Sequence, residues 1–235
     1  MGLDRHTEVV ASQIAKRLVA RASRASRDNL AFAEGIARAG LEVSRVLEAG
    51  GTVFAAGNGG SATQSQHLTS ELVGRFRNDR RGLRAISLTV EPAVMTAIGN
   101  DFGFDQVFAR QIEALAGPDD LFIAFSTSGR SRNLLVAADL ARERGLVVVG
   151  MTADGSELGN RCHVVVNAPP GSTASIQEDH LAALHLICEV VESEVFGRSY
   201  GPEELWGLVG FDEALEQRES WRTEGRTVAW TSGCF

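Results

Sequence analysis

Five short apolar runs, at 53–56, 85–90, 121–125, 147–151 and 164–166, alternate with segments of helical pattern at 62–76, 92–98, 105–115 and 133–144. No other feature of the 235 residues restricts the fold as strongly. The runs are mostly continuous in apolar character, as expected of strands covered on both faces. Alternation of this kind predicts an α/β fold, a parallel sheet with helices on both sides. A final long helix is expected from about 175 to 196, with Ile176, Leu181, Leu184, Ile187, Val190, Val191 and Val195 turned inward. Ahead of the first strand, residues 7–49 contain no proline and read as one or two helices. Phe32, Ile36, Ala39, Val43, Val46 and Leu47 give the second of these an amphipathic face, with Asp28 as N-cap and Gly50-Gly51 as its end.

Composition narrows the class of function. Hydrophobic residues at 44% and charged residues at 23% are globular values and exclude wholesale disorder. A formal charge of −7 repels phosphate backbones, so a dedicated nucleic-acid binder is not expected, though a local anion pocket remains compatible. No apolar run is long enough to span a bilayer, and the N-terminus lacks a signal-peptide core. Cys162, Cys188 and Cys234 are odd in number and far apart, which points away from a disulfide scaffold and toward a reducing cytoplasm. Cys188, among Leu186, Ile187, Val190 and Val191, reads as a core thiol. The stretch Gly197-Arg198-Ser199-Tyr200-Gly201-Pro202 punctuates the chain, dividing it into residues 1–197 and an appendage at 198–235.

Four groups of residues could do chemistry. Gly57-Asn58-Gly59-Gly60-Ser61 follows the first strand and opens a helix, where glycines admit a close ligand and free N–H groups attract an anion. An ordinary strand-to-helix turn is the plainer alternative, and the spacing fits neither nucleotide fingerprint. Ser126-Thr127-Ser128-Gly129-Arg130-Ser131 repeats the placement after the third strand, with four hydroxyls in six residues. Two such loops at carboxyl ends of parallel strands favour a shared anion site. His67 and Glu71 stand one turn apart on the intervening helix, suiting a divalent metal, an acid–base pair or a surface hydrogen bond. Gln177, Glu178, His180 and His185 lie on the last helix, where a core histidine is the plainer reading. Asn100-Asp101-Phe102-Gly103-Phe104 reads as a turn capping the next helix, or as a carboxylate for sugar hydroxyls.

Taken together these strings resemble the phosphoheptose isomerases of the sugar-isomerase (SIS) domain superfamily. The likeness runs through Gly57–Ala62, Gln66-His67-Leu68, Glu71-Leu72, Gly74-Arg75-Phe76, residues 97–105, residues 126–131, Thr173-Ala174, Ile176-Gln177-Glu178, His180 and His185. It spans about residues 8–197. It implies a three-layer αβα domain with a five-stranded parallel sheet, N-terminal helices packing in an oligomer, and a homotetramer with active sites shared between subunits. It also implies zinc, or another divalent metal, on His67, Glu71, Gln177 and His185. Ser61, Ser126, Thr127, Ser128 and Ser131, with the Gly59-Gly60 backbone, would hold the substrate phosphate. Asn58, Asp101, Thr173 and Gln177 would lie near the sugar. The chain departs from the family pattern at Arg130, often asparagine, and Ser175, often arginine.

The activity so implied is aldose–ketose isomerisation of sedoheptulose 7-phosphate to D-glycero-D-manno-heptose 7-phosphate, with Glu71 and His185 catalytic. The alternative is a non-catalytic SIS module binding a sugar phosphate or a partner protein. Adapters of the replication initiator resemble this chain in both loops but lack the carboxylate at 71 and the histidine at 185. The tail, from Trp221 through Thr227-Val228-Ala229-Trp230 to Phe235, resembles the opening of the heptose-phosphate nucleotidyltransferases. It stops before their nucleotide-binding loop, so a truncated edge of a fusion is expected there.

Overall fold

The computed structural model describes Ile14, residues 30–153 and residues 155–197; the expected Asp28 cap and the 198–235 appendage lie outside the described residues. Five parallel strands form one sheet in the order β2-β1-β3-β4-β5: β1 (Val53–Gly57), β2 (Ala85–Ser87), β3 (Leu121–Phe125), β4 (Val147–Ala153) and β5 (Val164–Ala168). Among the described residues six helices longer than one turn accompany them: α1 (Leu30–Glu48), α2 (Gly60–Val73), α3 (Pro92–Phe102), α4 (Ala109–Leu115), α5 (Arg132–Glu143) and α6 (Thr173–Phe196). This is the three-layer α/β arrangement that the alternating pattern predicts.

The two-residue period of a strand explains why the central runs had to be continuously apolar. On β1, Val53 and Ala55 face a core built with Val43 of α1, Leu68 and Leu72 of α2, and Leu184, Ile187 and Val191 of α6. Phe54 and Ala56 face the opposite core, against Val107, Ile112 of α4 and Leu134 of α5. All five residues of β1, and all five of β3, are buried. Cys188 is a buried core thiol, as expected. Among the described residues no helix is long and apolar enough to cross a membrane.

Four expectations change. The second strand stops at Ser87, not at 90, because it pairs with β1 alone. Beyond it Glu91 caps α3, its carboxylate accepting the Ala93 N–H at 3.1 Å with Pro92 in the first turn. Asn100 and Asp101 lie inside α3, which runs on until Gly103, at φ 87°, stops it. The helix expected at 105–115 is a 3-10 turn, Phe104–Gln106, followed by α4, and the bend lets Val107 and Phe108 both enter the core. On α6 Ile176, Leu184, Ile187 and Val191 are buried as expected, but Leu181 is 38% exposed and its neighbour His180 is buried instead. Val190 and Val195 are half-buried.

Candidate active site

Chain direction places a crevice between β1 and β3. From β1 the chain crosses through α2 to β2; from β3 it crosses through α5 to β4 in the other direction. Where the crossovers diverge, the loops at the strand ends frame a ligand crevice. The glycine loop leaves β1 there and the serine loop leaves β3. They are tied together by Asn58 and Asn133, whose side-chain amides each donate to the other's oxygen at 2.9 Å.

The serine loop is internally ordered. Ser126 is buried, its Oγ lies 3.3 Å from that of Ser131, and it accepts the Gly129 N–H at 3.1 Å. Ser128 Oγ accepts the Arg130 N–H at 3.3 Å. Gly129 has φ 60°, and a Cβ there would collide with the Ser156 side chain, so the turn admits only glycine. Thr127 is half-buried, Ser128 is exposed, and Ser61 is buried in the first turn of α2. Hydroxyls and amide groups at two helix starts make this a place for an anion.

From Gly60 a cleft of about 400 Å³ runs between α2 and α6, lined by Gly60, Gln64, His67, Gln177, Glu178 and Leu181. A Cβ at Gly60 would lie 2.5 Å from Gln177 Nε2, so the glycine admits the Gln177 amide. Gln64 donates from Nε2 to the Gln177 carbonyl, and its buried Oε1 has no hydrogen-bond partner among the described residues. The sequence reading missed Gln64. Its signal was position: it lies three residues before His67, on the same face of α2. Asn133 was missed too, although it stands just after the serine loop.

At the far end of the cleft three ligating atoms converge. His67 Nε2 lies 3.1 Å from Glu71 Oε1 and 3.2 Å from His185 Nε2, and the set fits within 4.8 Å. The first pair follows from one helical turn; the third residue arrives because α6 packs on α2. One proton on His67 Nε2 can serve only one of its two neighbours. A cation satisfies all three, and the edges of a tetrahedral zinc site with bonds near 2.0–2.1 Å are about 3.3 Å. The donor set therefore fits zinc or a similar divalent ion, with Gln177 lining the same cleft. The Phe76 ring stacks on His185 at 5.6 Å and 27°. Burial first, then the neighbouring His67, holds His185 below its ordinary imidazole range, with Glu71 opposing.

Two candidates stay apart from this cluster within the chain. Asp101 is exposed in the last turn of α3, where it accepts from Asn100 Nδ2 at 2.8 Å. Thr173 is exposed at the first residue of α6, beside Ala174 of the cleft but not itself lining it.

Comparison with known proteins gives the family of the chain. The SIS domain family model matches residues 8–153. The phosphoheptose isomerase of a Bradyrhizobium species is 43% identical over 187 residues, 79% of this chain and 93% of the relative. That of Geobacter metallireducens is 46% identical over 159 residues, 67% of this chain and 84% of the relative. The solved structure of a phosphoheptose isomerase from Francisella tularensis superposes with a TM-score of 0.70 at 32% identity, covering 81% of this chain and all of that one, 100%.

Proposed function

The chain belongs to the SIS-domain family, among the phosphoheptose isomerases, and from that membership we propose that it interconverts sedoheptulose 7-phosphate and D-glycero-D-manno-heptose 7-phosphate. The observation that carries the mechanism is the convergence of His67, Glu71 and His185 within 4.8 Å beside a cleft that begins at the glycine loop. A module that only binds sugar phosphate has no need of that convergence.

The serine loop anchors the phosphate, and the anchor orients a flexible seven-carbon chain along the cleft. Glu71 takes the proton from C1 of the ketose. The C1–H electrons become the C1=C2 bond of an enediol, while O2 takes a proton from His185 at Nδ1, the ring nitrogen not turned to the cluster. Returning the proton from Glu71 to C2, and the O1 proton to His185, leaves the aldehyde at C1 and a hydroxyl at C2. Negative charge develops on O2 along this path, so a donor fixed beforehand at that oxygen lowers the barrier. His67, Glu71, Gln177 and His185 would hold a divalent ion, which supplies Lewis acidity toward the substrate oxygens. A carboxylate has two oxygens, so Glu71 can keep Oε1 in the cluster and take the proton on Oε2.

The test is to incubate the zinc-loaded protein with sedoheptulose 7-phosphate and follow the sugar by NMR, beside an EDTA-treated sample. The expected result is an aldoheptose phosphate that forms with zinc and fails to form after chelation. No aldoheptose under either condition would reject the isomerase.

We further propose a homotetramer. Among the described residues α3 packs on the core only through the partly buried Met95 and Ile98, while Val94 and Phe102 on it, with Ile86, Val90 and Phe104 beside it, are exposed. An exposed apolar face of this kind marks an interface. A second copy covers it, bringing Asp101 toward a neighbouring crevice. Light scattering should return the mass of four chains, and a monomer would refute this. We propose the cytoplasm as the compartment of the reaction, since a reducing environment keeps thiols such as the free Cys162 and Cys188 reduced.

A further inference from the structure

α2 carries His67 and Glu71, and α6 carries His185. Catalytic geometry therefore depends on how the end of α2 is held against α6, and the segment 74–82 that follows α2 does the holding. The last carbonyls of a helix have no partner within it. Here Arg80 supplies one: its Nη2 donates to Glu71 O at 2.6 Å and its Nη1 to Leu72 O at 2.9 Å. The same guanidinium donates from Nε to Glu192 Oε1 at 2.9 Å. Glu192 lies two turns beyond His185 on α6. Both side chains are out of solvent, 3% exposed for Arg80 and 1% for Glu192.

Glu192 has further partners in the segment. Its Oε1 accepts the Phe76 N–H at 3.3 Å and its Oε2 accepts from Asn78 Nδ2 at 3.1 Å. The bond to Phe76 fixes the residue whose ring stacks on His185. A third grip is the ion pair of Arg77 with Glu189, 2.9 Å, with the Arg77 guanidinium 5.4 Å from the Phe76 ring centre.

A buried ion pair is a poor way to gain stability, since apolar residues of the same volume hold two helices as well or better. Its advantage is direction. A guanidinium is a rigid planar fork, and this one spans from the backbone of Glu71 to a carboxylate on the helix of His185. We propose that Arg80 and Glu192 are positioning residues, their buried pair setting the reach between His67 and Glu71 on α2 and His185 on α6, while Glu192 also holds Phe76 against the His185 ring. This rests on the metal-assisted isomerase reading of the same cluster.

Arg80→Lys keeps the charge opposite Glu192 but loses the fork to the two carbonyls. Glu192→Gln keeps the shape and one acceptor oxygen while removing the charge and the second acceptor, so it reports even if the first variant folds poorly. For each, zinc affinity is measured by competition with a chelating dye, together with kcat, KM and Tm. Groups that orient metal ligands typically change affinity or activity by about tenfold to a hundredfold. The expected result is a fall of that size in zinc affinity and in kcat, with KM within about twofold. A variant with lowered Tm but wild-type zinc affinity and kcat would overturn the proposal, because the pair would then only hold the fold. If the unaltered protein binds zinc but makes no aldoheptose, the isomerase reading fails alone, and zinc affinity still decides the role of Arg80 and Glu192.

Discussion

Glu71→Gln lowers kcat for sedoheptulose 7-phosphate by about a thousandfold or more, within the range lost with a positioned general base, while KM changes little. Glutamine preserves the volume and one oxygen able to face His67 Nε2, 3.1 Å from Oε1 in the parent protein. What it lacks is a site that can accept the C1 proton. The proposed phosphate anchor is elsewhere, in the loops after β1 and β3, so on that reading ground-state binding survives. The check is steady-state kinetics alongside hydrogen exchange at C1 in heavy water, which should disappear with turnover. Near-normal turnover in Glu71→Gln would remove Glu71 from the chemistry.

The second large effect concerns stability and pH. His180 is fully buried on α6, edge-on to Phe125 at 6.2 Å. Neither ring nitrogen makes a hydrogen bond among the described residues, although the Thr152 backbone lies near enough to favour a proton weakly. Burial dominates and pushes the imidazole down to about 4 from an ordinary 6.5. In the unfolded chain His180 takes up its proton near 6.5; in the folded chain it stays neutral to about 4. Between those values only the unfolded state holds the extra proton, so acid draws the equilibrium toward unfolding. The contribution is fully present above about pH 6.5 and is lost as pH falls toward 4, amounting to about 3 kcal/mol. His180→Phe fills a similar space, contacts Phe125 and cannot titrate. Urea unfolding at fixed protein concentration should give the variant unchanged or higher stability at pH 7. It should also show a shallower loss between pH 6.5 and 4, the remainder belonging to carboxylates. Parallel acid limbs for the two proteins would show that His180 is not the group responsible.

The structure also shows which parts of the chain could be read in advance. The third strand, 121–125, was legible to the residue, because a strand covered on both faces must be apolar throughout, and Leu121–Phe125 is. The edge strand β2 was overread by three residues, since apolar character continues past Ser87 for reasons unrelated to pairing: Leu88 enters the core and Val90 stays exposed. On α6 Ile176, Leu184, Ile187 and Val191 face the core as hydropathy suggests, and the expectation fails at Leu181, because the neighbouring His180 takes the buried place against the hydropathy of its side chain. Gln64 and Asn133 escaped notice because amide side chains carry no signature of their own. Their roles come from what faces them, the Gln177 carbonyl in one case and the Asn58 amide in the other.

The sequence alone determined the layers, the parallel sheet and the two loops that open onto its carboxyl edge, because periodicity and turn chemistry act over a few neighbouring residues. It also determined that His67 and Glu71 share a helix face, since one turn separates them. Only the tertiary structure decided that His185, 118 positions away from His67, stands 3.2 Å from it. It likewise decided that Arg80 reaches from the backbone of Glu71 to Glu192. Those distances depend on how α6 packs on α2 across a shared core, and packing joins residues whose separation along the chain carries no information about their separation in space.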